Sequence, residues 1–159
     1  MFQIRFNDKI FDVRVTSNGF KIKKSDSKNW RYITEEHLRR FCIILNNTKN
    51  IKMFIPITDR SVLSLPDYHN SVLHMSLLLN LMYPDKINID RKTNTVRLNE
   101  RIKFTHDDFI QKRNKLLLSE DRIFVISDKK ISVFDKFQRS LTEFSSCSSV
   151  KNFKNEMLK

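Results

Sequence analysis

At 159 residues the chain has the length of one ordinary domain and can bury a hydrophobic core without disulfide or metal staples. Its 30 Lys and Arg against 18 Asp and Glu leave a net charge of +12, a balance that attracts polyanions, of which nucleic acid is the commonest, with acidic proteins and anionic membranes as the others. A single glycine excludes the usual phosphate loop, the dinucleotide-binding G-x-G-x-x-G and the G-x-S-x-G nucleophile elbow.

Two cysteines, Cys42 and Cys147, stand far apart and outside any C-x-x-C or Cys/His spacing, so a reducing, intracellular and cytoplasmic setting is expected. The opening residues alternate apolar with polar and lack the apolar core of a signal peptide. The longest apolar stretch, Val72–Met82, is interrupted by His74, Ser76 and Asn80 and is too short to span a bilayer, so no membrane partner is expected. Alanine is absent while Asn, Lys, Ile and Phe abound. That bias points to an AT-rich coding genome such as some viruses, plasmids or organelles have, and it supplies lysine independently of any binding role.

The first 24 residues read as a three-stranded antiparallel meander. Phe2, Ile4 and Phe6, then Phe11, Val13 and Val15, then Phe20 and Ile22 alternate with polar residues. Asn7-Asp8 and Ser17-Asn18-Gly19 supply the turns, the second through an Asn-Gly pair that tolerates positive φ. A polar loop carrying Lys24, Lys28, Trp30, Arg31 and Tyr32 follows. Thr34 then reads as the N-cap of a helix with Glu35 and Glu36 in its first turn. This helix runs to about Leu45 with Leu38, Phe41, Cys42 and Leu45 as its apolar stripe, and Asn46-Asn47 ends it.

Residues 51–57 form a strand that Pro56 would confine to an edge. Asp67 caps a second helix through Met82, apolar in nearly every direction and hence the central core helix, unless a partner covers it. A hairpin follows at 87–90 and 95–99. A third helix starts at Thr105 with Asp107 and Asp108, and Lys112, Arg113 and Lys115 near its C-terminal end offset the dipole. A last hairpin spans 122–126 and 129–134, with 123–126 as an interior strand. The order mixes antiparallel hairpins with about three helices, so the fold class is α+β. One domain is expected over 1–140, with 141–159 a flexible basic tail.

Charge is uneven along the chain. Residues 1–33 carry eight Lys/Arg against three acids, whereas 105–135 balance at six and six. The polar face of the meander, with Arg5, Arg14, Lys21 and Lys23, and the adjoining loop with Lys24, Lys28, Trp30, Arg31 and Tyr32, combine phosphate-pairing cations with rings on which a base can stack. Arg39 and Arg40, off the apolar stripe of the first helix, would extend that surface.

Catalytic signals are poor. His37, His69, His74 and His106 contain no H-x-x-x-H pair, and Pro84-Asp85 with Asp90-Arg91-Lys92 is too closely spaced to place the separate strands of a nuclease metal site. No catalytic residue, metal or cofactor is expected. The composition therefore predicts a non-enzymatic accessory protein that contacts RNA or DNA through phosphates, as a subunit of a nucleoprotein, replication or transcription assembly. The alternative is a protein interaction module, for example a viral accessory protein, that docks on a partner or a second copy through the apolar helix 68–82 or the C-terminal tail.

Overall fold

The computed structural model describes residues 1–52, 72–127, 130–137 and 140–144. Alternation at the start of the chain becomes three antiparallel strands, β1 (Phe2–Phe6), β2 (Lys9–Thr16) and β3 (Gly19–Lys24). The register pairs Phe2 with Val13 and Ile4 with Phe11, then Val13 with Ile22 and Val15 with Phe20. Side chains two residues apart share a face, so these apolar residues form one surface and Gln3, Arg5, Asp12, Arg14, Lys21 and Lys23 the other.

The segment after Asn29 was expected to be loop up to the Thr34 cap. Its Arg31-Tyr32-Ile33-Thr34 instead forms β4 (Arg31–Thr34), paired with β3. A β-branched residue and an aromatic one suit a strand, and Ile33 is buried opposite Phe20.

Helix α1 (Glu35–Thr48) has the predicted cap. Thr34 Oγ1 accepts from His37 N while His37 Nδ1 accepts from Thr34 N, a reciprocal pair that satisfies two end groups. The predicted stripe, Leu38, Phe41, Cys42 and Leu45, is buried. The helix outruns Asn46-Asn47 and ends at Lys49, whose φ of 65° is left-handed, while Asn46 is used sideways, bonding both N and O of Ile102. We expect Thr34→Ala to lower the unfolding free energy by about 1 kcal/mol, measured by urea denaturation.

Beyond β5 (Asn50–Lys52) the chain is next described at α2 (Val72–Met82), so Pro56 and the Asp67 cap fall outside the described residues. The remaining elements are β6 (Ile87–Asp90), β7 (Thr95–Leu98), α3 (His106–Leu117), β8 (Ile123–Ser127), β9 (Lys130–Phe134) and β10 (Ser140–Phe144). They complete an α+β fold with two sheets among the described residues, ordered β10-β9-β8-β1-β2-β3-β4 and β5-β7-β6. In the large sheet β8 lies parallel to β1 and antiparallel to β9. It is thus the interior strand its apolar run implied. The sheet continues to Phe144, past the expected boundary at 140.

The helices pack on the apolar face. Phe11 meets His74 of α2 and Phe20 meets Phe109 of α3 edge to face, with centroids 5.4 Å and 6.3 Å apart. Apart from the partly buried His74, every residue of α2 is buried. It contacts α1 and β6 and gives Asn80 Nδ2 to Ile87 O inside the core. Over its described residues the helix has the burial expected of a core helix. No described helix is long and apolar enough to cross a membrane.

Candidate nucleic-acid interface

On the face of the large sheet opposite the apolar core, Arg14 of β2 pairs in register with Lys21 of β3, and Lys21 with Tyr32 of β4. Like charges placed directly opposite each other on neighbouring strands repel. Trp30, just before β4, offsets this. Its indole centroid lies 4.9 Å from Lys21 Nζ, 5.3 Å from Lys23 Nζ and 5.7 Å from Arg14 Cζ, within the reach of cation–π attraction.

The three cations are not equivalent. Lys23 is bound to Asp12 Oδ2 at 3.2 Å, donates to the carbonyls of Lys24 and Ser25, and has a side chain only 15% exposed. Asp12 also accepts from Ser25 Oγ at 2.8 Å and Gln3 Nε2 at 3.2 Å. This buried carboxylate cancels the Lys23 charge. Arg14 and Lys21 have no carboxylate partner among the described residues. Beside them Tyr32 is 60% exposed, so two uncompensated cations and two rings lie together.

Other predicted members lie elsewhere. Arg5 shares this face of the sheet but is half-buried, with its Nε shielded from water, because its strand β1 lies in the middle of the sheet between β8 and β2. Lys28 is exposed in the turn before β4. Lys24 and Arg31 are on the opposite, helix-bearing face, since Lys24 pairs with Phe11 and Arg31 with Ile22. Arg39 bridges Glu35 and Glu36, and Arg40 Nε meets Glu36 at 3.0 Å, so the first turn of α1 neutralises both within the helix. Tyr32, expected with Trp30 as a ring for stacking, lies on the candidate surface. The alternation Arg31-Tyr32-Ile33 was the signal for its outward direction.

Polar side chains around α3 tie it to its neighbours. Arg113 on α3 donates to the carbonyls of Thr16 and Ser17, and Lys112 sits 4.8 Å from the Tyr83 ring, so these residues tie α3 to its neighbours beyond any dipole effect. Tyr83 donates to Asp108 Oδ2 at 2.8 Å. Burial first and that bond second push its hydroxyl well above the ordinary tyrosine range. Burial likewise raises the Cys42 thiol to about 12, far from the range of a reactive thiolate. Among the described residues no three His, Cys, Asp or Glu side chains gather as a metal ion would require.

Fold and surface together define an α+β protein with a basic, ring-bearing strip on one sheet face. Compared with models of known protein families, with curated proteins and with solved structures, the chain matches none.

Proposed function

We propose that this chain is a non-enzymatic accessory protein that contacts single-stranded RNA or DNA, with Arg14 and Lys21 pairing to phosphates and Trp30 and Tyr32 offering faces to bases. The observation that carries this reading is the row Arg14, Lys21 and Tyr32 across three strands, with Trp30 over its cations. Uncompensated cations release counterions from a polyanion, and the exposed Tyr32 ring beside the half-buried Trp30 offers stacking to any base, so the binding should be sequence-tolerant and salt-dependent. In a cell such a protein serves as a subunit of a larger nucleoprotein, replication or transcription assembly.

Trp30 is the only tryptophan, so its fluorescence reports from the site itself. Single-stranded oligonucleotides at low salt are expected to quench it and to raise the anisotropy of a labelled strand. Arg14→Glu with Lys21→Glu should weaken binding at least about tenfold and flatten the slope of log affinity against log salt by about 1.4, the share of two phosphate contacts on a single strand. A double variant of equal net charge at the exposed Arg101 and Lys103, both changed to Glu, should bind nearly as the parent does. Absence of binding at low salt, or equal losses in the two double variants, would overturn the proposal.

A further inference from the structure

Lys24 and Arg31, separated from the basic strip by the thickness of the sheet, lie near a histidine with unmet bonding capacity. Phe11 marks the place, its ring against His74 near the start of the described part of α2. Lys9 is two residues before Phe11 and points to the same face, and Lys24 is the cross-strand partner of Phe11. Arg31 is the partner of Ile22, two residues from Lys24. Cations from β2, β3 and β4 thus border the core where His74 emerges from it. His74 Nδ1 is buried and meets no hydrogen-bond partner among the described residues, although buried polar atoms are nearly always satisfied.

Val72–Met82 contains no charged residue, and the groups that act electrostatically on the imidazole from β2, β3 and β4 are all cations: Arg31, Lys24 and Lys9. Lys24 and Arg31 have no carboxylate partner among the described residues. One oxyanion would answer both deficits, accepting from the imidazole N–H and neutralising the cations around it.

We propose that His74, Lys24, Arg31 and Lys9 form a binding site for a phosphate group, on the helix side of the sheet and independent of the strip on the other face. The source is either free inorganic phosphate or the terminal phosphate of a nucleotide chain, which present the same oxygens. Burial, then Arg31, Lys24 and Lys9, hold the unliganded imidazole down at about 4. A bound anion favours the charged imidazolium, so phosphate raises this midpoint. By linkage, phosphate binds with uptake of a proton where the free site is neutral and the occupied site is charged.

The test is an NMR titration of protein carrying ¹³C-labelled histidine rings, in sodium phosphate and in sodium chloride at matched ionic strength. In chloride His74 should titrate near 4. In phosphate its midpoint should rise by about one pH unit or more. At neutral pH, away from any acid unfolding, phosphate should shift the His74 signal saturably. Identical behaviour in the two salts at both pH values overturns the site. Lys24→Gln with Arg31→Gln should raise the chloride midpoint and abolish the response to phosphate, and a full response in a folded double variant also overturns it. Should that variant not fold, the comparison of salts on the parent protein decides. A 5′-phosphorylated dinucleotide that shifts the signal where its unphosphorylated twin does not assigns the group to a nucleotide terminus. A response to inorganic phosphate alone assigns it to the free anion.

Discussion

Leu78→Ala is expected to lower the unfolding free energy by about 2–5 kcal/mol, the range for a fully buried leucine whose surroundings close only partly around the gap. Leu78 is fully buried on α2, and its neighbours Leu77, Leu79 and Leu81 are equally inaccessible, so no side of the helix offers water to refill the space. For a domain of this size the loss corresponds to a fall in melting temperature on the order of 5–20 °C. The same substitution also separates the two roles that an all-round apolar helix can have. A core helix loses stability in the isolated protein. A docking helix would leave the melt unchanged while abolishing association, so an undisturbed melt together with an oligomeric parent in light scattering would refute the core assignment.

Periodicity made most of the fold readable in advance. The alternations from Phe2 to Ile22 and the stripe Leu38, Phe41, Cys42 and Leu45 each select one face of one element, and those faces are buried where they were expected. Long-range pairing was not readable. The run Ile123-Phe124-Val125-Ile126 says that the strand is interior, yet nothing local says that its neighbour is β1, more than a hundred residues away, in parallel. The strands β4 and β10 were missed for a related reason. Each lies at an edge of the large sheet, where burial is one-sided and a short segment carries little pattern.

The candidate surface shows the same division. Charge density in the first 33 residues singled out the region that carries the basic strip, and alternation put Arg14, Lys21 and Lys23 on one face. Which charges remain uncompensated depends on partners, and these are set by register and helix spacing. Asp12 opposite Lys23, and Glu35 and Glu36 one turn from Arg39 and Arg40, remove three predicted cations from the effective set. The loop reading of 24–33 also hid the parity of β4, which sends Tyr32 to one face and Arg31 to the other. A small error about one edge strand therefore merged two separate groups of cations into one.

Gly19→Ala is expected to cost about 3 kcal/mol, the upper part of the range for overpacking, because a Cβ at this position would lie 2.2 Å from the carbonyl oxygen of Ile33 and 2.9 Å from Thr34 Cα. Both obstacles are backbone, and β4 cannot retreat cheaply. Its chain continues directly into α1, whose Glu35 N donates to Asn18 O at 2.9 Å, while Arg113 holds Thr16 and Ser17 from the other side. The Asn-Gly pair suggested a different reason for the glycine, a positive φ in the β2–β3 turn. Neither residue has one, whereas Asn7 in the β1–β2 turn does, at 55°. Gly19→Asn distinguishes these explanations. Asparagine tolerates left-handed backbone at modest cost, so a glycine kept for its φ would accept it. A glycine kept for room would not, since asparagine carries the same offending Cβ. Urea denaturation should therefore show Gly19→Asn at least as destabilised as Gly19→Ala, and near-parental stability of the asparagine variant would rule out the steric explanation.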